Sequence, residues 1–346
     1  MSKDSFQFGV YAGSVSGTPS GLARGLDDDL GATRDALDRL QEATERSLIV
    51  RAYLHYKGAQ ALESQGLCGG TDLFSQDFQA LLSERRPLDL VLCFHDPDGG
   101  LVGWKQAISM AVEIYGTRLG RLQITEEANL RFGTGAIDGD YPKVVQALVQ
   151  GVAFARAELD RHGLNAVPVG FSVAPALFGS GANSFWTDLK AASTSDFLSA
   201  LGYVGADFFP DVFRPIALDQ IPGSVVFLLR HFRESMTLAG IHATTPLIVT
   251  ENGWPTGPDR SEERQAAVLQ AIVETALSRR EEFAVKGYTW FALRDADSTS
   301  VDLFHRFGLL RSDYTEKAAF AIFKKALEGN LPSQQAGNNP AIRVAE

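Results

Sequence analysis

The sequence predicts a single α/β domain folded as a (β/α)8 (TIM) barrel, and three observations support this prediction. Eight short strand-like runs each precede a helix-like segment, which is the order expected of a closed barrel of parallel strands. Several of these runs are continuously apolar, as expected of parallel strands buried on both faces. No glycine-rich phosphate-binding motif follows the first run. This removes the main reason to prefer a doubly wound open sheet, although periodicity alone leaves that alternative open.

The elements follow one another in order along residues 1–330, which we predict to form the barrel. The predicted strands are residues 6–12, 47–55, 88–95, 121–125, 166–173, 206–209, 246–250 and 286–293. The predicted helices are residues 32–46, 75–85, 103–115, 142–161, 194–202, 222–238, a segment starting after Ser261, and 315–328. Residues 331–346 are rich in Ser, Gln, Asn and Pro, and we predict a flexible C-terminal tail there.

Local signals justify individual helices. Leu37 and Leu40 repeat at helical spacing in the first helix, and Pro142 stands early in the fourth, where proline is tolerated. Ser261 is a good N-cap residue, and Glu262 after it suits the positive end of the helix dipole. The predicted loops 133–141 and 178–195 are expected to shape the binding site, because loops at the carboxyl ends of barrel strands carry function.

Composition limits the possible functions. Of the 346 residues, 45% are hydrophobic and 21% are charged, with a net charge of -10. The acidic balance argues against a nucleic-acid partner. No signal peptide or membrane-spanning run is visible, so we predict a cytoplasmic protein without a membrane partner. Two cysteines give neither a disulfide framework nor a zinc spacing, and Cys93 in its apolar run is predicted to be a small core residue.

Polar residues collect where the predicted strands end. In a barrel these ends meet at one rim, and catalytic residues come from that rim. The residues at the strand ends are Tyr11, Arg51, His55, His95, Asp96, Glu126, Glu127, Asn129, Ser172, Asp207, Asp211, Glu251, Asn252, Trp290, Arg294 and Asp295. Carboxylates recur among them, and a carboxylate at the end of an apolar strand is costly unless it is paired or has a function.

Glu127 and Glu251 stand out among these carboxylates. Each follows an apolar strand, and the fourth and seventh strands face each other across the predicted barrel mouth. Glycosidic cleavage uses such a pair: one carboxyl protonates the leaving oxygen, while the other attacks the anomeric carbon or activates water. The two glutamates therefore indicate glycoside hydrolysis.

Three segments resemble the retaining glycoside hydrolases that carry catalytic glutamates on barrel strands four and seven (clan A type). Residues 248–257, IVTENGWPTG, are similar to the nucleophile segment of family-one glucosidases and plant-type β-1,3-glucanases. Residues 124–129, ITEEAN, resemble the acid/base segment, and residues 288–295, YTWFALRD, resemble the eighth strand with its sugar-platform tryptophan. The resemblance covers roughly residues 6 to 325 in order and spacing, without assigning a numbered family.

The resemblance implies a retaining hydrolase that needs no cofactor and no metal, acting on a small glycoside or oligosaccharide. It implies that Glu251 is the nucleophile, that Glu127 is the acid/base, and that Arg51 contacts the nucleophile. The other expected substrate-binding residues are His95, Glu126, Asn129, Trp254, Trp290, Asp295 and Tyr11.

Two positions depart from the family pattern. Glu126 stands where the family has an asparagine that contacts the sugar 2-hydroxyl, so the substrate at that position is open. Phe209 stands where the family often has a tyrosine that touches the nucleophile, and Tyr11 or Tyr288 is expected to replace it.

Two other functions remain open from the sequence. A metal-dependent sugar isomerase or epimerase would use divalent-metal ligands at the rim, although no paired ligand spacing is present. The possible ligands are His95, Asp96, Glu127, Asp207, Glu251 and Asp295. The other function is a non-catalytic sugar-binding barrel, which would be favoured if Glu127 or Glu251 were misplaced for catalysis.

Overall fold

Eight parallel strands close into a barrel in the computed structural model, which describes residues 6–18, 21–69, 73, 75–175 and 184–331. The strands are β1 (Gln7–Tyr11), β2 (Leu48–Tyr56), β3 (Leu88–Phe94), β4 (Leu119–Ile124), β5 (Val169–Val173), β6 (Leu201–Asp207), β7 (Leu247–Asn252) and β8 (Val285–Trp290). Each strand pairs with its neighbour in the chain, and β1 pairs with β8 to close the barrel. The predicted (β/α)8 fold is therefore confirmed.

Helices cover the outside of the barrel. They are α1 (Leu30–Gln41), α2 (Ala59–Gln65), α3 (Gln76–Gln79), α4 (Leu101–Tyr115), α5 (Val144–Arg161), α6 (Ser184–Ala192), α7 (Ser195–Ala200), α8 (Ile221–Leu238), α9 (Glu262–Ser278) and α10 (Ala318–Glu328). A short antiparallel pair, Ser16–Thr18 with Gly21–Ala23, follows β1. The sequence did not predict this pair.

Capping residues fix several helix ends. The Asp29 side chain accepts a hydrogen bond from the Ala32 N–H at 3.0 Å at the start of α1. The predicted cap Ser261 likewise accepts from the Arg264 N–H at 3.1 Å. These bonds satisfy amide groups that the first turn of a helix leaves without partners.

The sixth strand–helix unit differs most from the prediction. The predicted helix 194–202 ends at Ala200, and β6 runs from Leu201 rather than from residue 206. Gly202 and Gly205 weaken the strand pattern in the sequence. Gly205 is required by packing, because a Cβ there would collide with the Thr250 side chain.

The structure differs from three further predictions in the type or the bounds of an element. The predicted helix 75–85 is only the four-residue α3, and α2 precedes it. Residues 184–192 of the predicted loop 178–195 form α6, while residues 178–183 lie outside the described residues. The last helix begins at Ala318 rather than at residue 315. The predicted flexible tail lies outside the described residues beyond Leu331.

The barrel interior contains a charge triad of Arg51, Asp89 and Arg121, which come from β2, β3 and β4. Asp89 Oδ2 lies 3.0 Å from Arg51 Nη1 and 3.0 Å from Arg121 Nη2. All three side chains are at most 1% exposed. Burying these charges is tolerable because each is paired, and the triad supports the polar groups at the barrel mouth.

Candidate active site

Glu251 lies at the carboxyl end of β7 and is held by two side chains from β2. Arg51 Nη2 lies 3.5 Å from Glu251 Oε1, and the Tyr53 hydroxyl donates a short hydrogen bond to the same oxygen. Arg51 Nε also donates to the Tyr53 oxygen at 2.7 Å. Arg51 and Tyr53 reach the same space because they are two residues apart on one strand.

Opposing effects set the pKa of Glu251. Burial and the nearby Glu126 carboxyl raise it to about 8, whereas Arg51 and the Tyr53 hydrogen bond lower it. The Glu126 contribution depends on the protonation state of that carboxyl. When Glu126 carries a proton, its repulsion of Glu251 is removed. Arg51 and the Tyr53 hydroxyl then favour the ionised form of Glu251.

Glu127 follows β4 in a left-handed backbone conformation, with φ of 43°. This conformation is uncommon for a glutamate. The Glu127 N–H donates to Ser172 Oγ at 3.3 Å, and that hydroxyl also accepts from Gln123 Nε2 at 3.0 Å. Burial, followed by the nearby carboxyls of Asp207, Glu251 and Glu126, raises the pKa of Glu127 well above its usual value.

Asp207 completes a carboxyl cluster of four side chains, Glu126, Glu127, Asp207 and Glu251. Asp207 lies opposite Glu251 in the register of β6 with β7, and it accepts a 2.6 Å hydrogen bond from Thr250 Oγ1. Burial raises the pKa of Asp207 to about 7 and that of Glu126 to about 7. The cluster therefore holds protons near neutral pH, which is what a general acid requires.

A strip of aromatic rings lines one side of the barrel mouth. The Tyr11 ring stacks on Phe291 at 4.9 Å between centroids, and Phe213 is 66% exposed. The rings in contact along this aromatic strip are Tyr11, Phe291, Phe307, Phe209, Phe213 and Phe304. Tyr11, Phe291 and Phe307 are buried, so Phe213 is the ring of the strip that can stack on the apolar face of a sugar.

Several predicted substrate-binding residues have their polar atoms occupied by the protein. Asn129 makes two hydrogen bonds to the backbone of Ala174, at 2.7 and 3.0 Å. Asp295 pairs with Lys317 at 2.7 Å and is fully buried. These two side chains therefore fix the carboxyl-end loops rather than facing the site.

The two predicted tryptophan platforms are also enclosed. Trp290 is 0% exposed, and its indole N–H donates to the Phe307 carbonyl at 3.2 Å. Trp254 is 3% exposed and donates to Asp211 Oδ2 at 3.0 Å. Neither ring offers an open face, so the exposed Phe213 is the better stacking surface.

The expected replacement for the family tyrosine was wrong. Tyr288 donates to Asn252 Oδ1 at 2.6 Å, and Tyr11 stacks on Phe291. Tyr53 contacts Glu251, the predicted nucleophile, instead. The signal was available in the sequence, because Tyr53 follows Arg51 at strand spacing and therefore shares its face.

His95 lies at the mouth beyond β3, with His55 and Cys93 beside it. The His95 ring stacks on Tyr141 with 4.7 Å between the ring centroids, and the His55 and His95 ring centroids are also 4.7 Å apart. Cys93 Sγ donates to Glu126 Oε2 at 3.3 Å. Burial lowers the pKa of His55 to about 4 and raises that of the Cys93 thiol.

The six ligands expected for a metal isomerase do not form one group. Glu127, Asp207 and Glu251 lie in the carboxyl cluster, whereas His95, Asp96 and Asp295 contact other residues. Within the described residues, the one group of histidine, cysteine and acidic side chains close enough to hold an ion is His55, Cys93 and His95. Asp96 instead accepts hydrogen bonds from the backbone of the turn that precedes α4, with Gly100 N at 2.8 Å. The structure therefore does not favour the isomerase alternative.

Solved glycoside hydrolases share this fold. One is a β-glycosidase from the hyperthermophile Thermosphaera aggregans, at 16% identity and a TM-score of 0.64, with 96% of this chain and 98% of that chain covered. A β-glucosidase from Exiguobacterium marinum has 12% identity and a TM-score of 0.60, with coverage of 96% and 99%.

A third relative in structure is a family 17 β-1,3-glucanosyltransferase from Rhizomucor miehei, at 13% identity, a TM-score of 0.55 and coverage of 91% and 97%. An active-site mutant of that enzyme has been solved with laminaritriose. No protein-family model matches the chain, and no curated protein sequence matches it. At these identities the likeness establishes the fold.

Among the helices that the structure describes, none is long and apolar enough to cross a bilayer.

Proposed function

We propose that this protein is a retaining glycoside hydrolase, with Glu251 as nucleophile and Glu127 as acid/base. The observation that carries the proposal is the environment of Glu251. Its carboxyl receives a guanidinium and a tyrosine hydroxyl at the end of β7, while a proton-holding glutamate ends β4. One carboxyl is thus prepared to attack and the other to donate a proton, which is the division of labour that double displacement requires.

In the first step, Glu127 gives its proton to the glycosidic oxygen while Glu251 attacks the anomeric carbon. The C–O bond to the leaving group breaks, and a glycosyl ester forms on Glu251. Arg51 and Tyr53 orient the attacking carboxylate and stabilise its charge before the attack. The raised pKa of Glu127 keeps a proton available at neutral pH.

In the second step, Glu127 accepts a proton from water as that water attacks the ester carbon. The sugar is released with its original anomeric configuration, and Glu127 is again protonated. The carboxyls of Asp207 and Glu126 lie close to Glu127, and whenever either is ionised its negative charge favours the return of Glu127 to the protonated state.

The proposed substrate is a small glycoside or oligosaccharide. The aromatic strip begins at the buried Tyr11 and includes Phe213, which is 66% exposed and can meet a sugar ring. Sugars combine apolar ring faces with hydroxyl groups, and they therefore match a site with aromatic rings on one side and carboxyls on the other. The remaining substrate contacts that we propose are His95, Glu126 and Tyr11.

The test is azide rescue of Glu251→Ala. On an aryl glycoside we expect hydrolysis to fall by roughly 10³-fold or more, since the covalent step is lost. Added azide should restore turnover and give a glycosyl azide of inverted configuration, read by NMR. The Glu127→Ala variant with azide should give the retained configuration instead. The surface variant Glu263→Ala is the control and should match wild type.

A screen of aryl pyranosides and furanosides, arabinofuranosides and galactofuranosides included, identifies the substrate for this test. Near wild-type turnover in Glu251→Ala would end the proposal. Sugar binding without turnover of any glycoside by the wild-type protein would instead identify a sugar-binding barrel.

A further inference from the structure

A compact group of nitrogen and sulfur donors lies at the carboxyl ends of β2 and β3, at one side of the carboxyl cluster. His55 pairs with Cys93 in the strand register, and His95 lies two residues beyond Cys93. One ligand atom from each of the three residues lies within 4.8 Å of the others. Imidazole and thiolate together are donors that Zn²⁺ prefers.

Each histidine has one ring nitrogen directed at an oxygen of the protein. His55 Nδ1 lies 3.1 Å from the Cys68 carbonyl oxygen, so Nδ1 carries the hydrogen and Nε2 is left as a donor atom for a metal. His95 Nε2 lies 3.2 Å from Asp138 Oδ1, which leaves His95 Nδ1. Metal-binding histidines almost always have their second nitrogen anchored to a carbonyl or a carboxylate in this way.

The anchor of His95 is itself fixed. Asp138 Oδ2 accepts hydrogen bonds from the Phe94 N–H at 2.8 Å and the Glu126 N–H at 3.0 Å. The contact between His95 and Asp138 is short but not aligned as a hydrogen bond, and both atoms are buried. A rotation of the His95 ring that aligned Nε2 with Asp138 Oδ1 as a hydrogen bond would also change the direction of Nδ1.

We propose that His55, Cys93 and His95 bind one Zn²⁺ ion, with a water molecule in the fourth position. Binding breaks the Cys93 S–H bond: the sulfur keeps the electron pair and bonds to zinc, and the proton passes to the buffer. In a tetrahedral zinc site, the Zn–N and Zn–S bond lengths put two ligand atoms about 3.3 to 3.7 Å apart. The donor atoms now lie within 4.8 Å of one another, and we expect side-chain rotations on binding to bring them to that separation.

The site gives a role to the carboxylate that departs from the family pattern. Glu126 Oε2 lies 3.3 Å from Cys93 Sγ and accepts its thiol hydrogen. Zinc takes the place of that hydrogen, and Glu126 then accepts a hydrogen bond from the zinc-bound water. The metal would thereby connect to the carboxyl cluster through Glu126. The inference rests on the donors and their anchors rather than on the proposed hydrolase activity, and a bound ion would occupy His95 Nδ1 in place of a substrate hydroxyl.

The experiment is a metal titration of the full chain, first stripped with a chelator. We expect equilibrium dialysis against Zn²⁺ followed by elemental analysis to give one ion per chain. Co²⁺ in place of zinc should show the visible bands of a tetrahedral site together with a thiolate-to-cobalt charge-transfer band. The Cys93→Ser variant should lose that band and at least 10-fold in zinc affinity.

Matched variants make the result specific. Cys68→Ser removes the other cysteine and should keep the charge-transfer band, while His95→Ala should weaken binding and His162→Ala on the surface should not. Zn²⁺ should raise the melting temperature of wild type but not of Cys93→Ser, with circular dichroism confirming that each variant folds. A band that survives in Cys93→Ser, or weak binding of several ions that no variant changes, would overturn the proposal.

Discussion

Two groups of buried charges in this barrel share Arg51 but differ in balance. In the charge triad, two guanidiniums surround the single carboxylate of Asp89. In the carboxyl cluster, four carboxyls share one nearby guanidinium. Where cations match or exceed carboxylates, the charges pair and support the fold. Where carboxyls exceed cations, burial and repulsion keep protons bound, and a proton becomes available for transfer.

The largest expected effect comes from breaking the triad. Asp89→Ala leaves two buried guanidiniums without their carboxylate, and we expect the free energy of unfolding to fall by roughly 3–5 kcal/mol. Denaturant unfolding measures the change. Asp38→Ala, which removes an exposed partner of Arg86, is the control and should cost less than about 1 kcal/mol. Equal losses in the two variants would show that the triad is not a stabilising unit.

A smaller effect is expected where the two groups meet. Tyr53→Phe removes the hydroxyl that donates to Glu251 and accepts from Arg51. A hydrogen bond to a charged group contributes about 1.5–3 kcal/mol, so we expect kcat on an aryl glycoside to fall roughly 10- to 100-fold.

Tyr288→Phe is the matched control for Tyr53→Phe, because its hydroxyl contacts Asn252 rather than a carboxyl. It should change kcat little. A Tyr53→Phe variant with wild-type kcat would show that the hydroxyl does not hold the attacking carboxylate.

The smallest expected effect concerns the proton balance of the cluster. Glu126 raises the pKa of Glu251, which lies at about 8, so Glu126→Gln should lower that pKa. Because the attacking carboxylate must be ionised, kcat/KM rises with pH through the pKa of Glu251. The acid limb of the kcat/KM profile should therefore move to lower pH. An unmoved or higher acid limb would contradict the coupling between the two carboxyls.

Several features of this protein were determined by the sequence alone. Apolar runs such as residues 90–94 in β3 are expected to be buried, and eight strand-like runs alternating with helices predict the barrel. The strand ends then place Glu127 and Glu251 at one rim, since side-chain direction and strand polarity follow from local chain geometry, whereas the structure places Arg51 midway along β2 in the barrel interior. The sequence also showed a glutamate, Glu126, where the family that the chain resembles has an asparagine.

Tertiary structure decided what each polar side chain contacts. Tyr53 rather than Tyr11 or Tyr288 touches Glu251, and Asn129 and Asp295 bond to the protein rather than facing the site. The start of β6 also depended on tertiary packing, because its glycines serve a close approach between strands. Residue spacing along the chain determines which face of a strand or helix a side chain lies on. Its contact partners come from elements distant in the sequence, and only the closed barrel sets the distances between those elements. The pairing of His55 with Cys93 and His95 has the same origin.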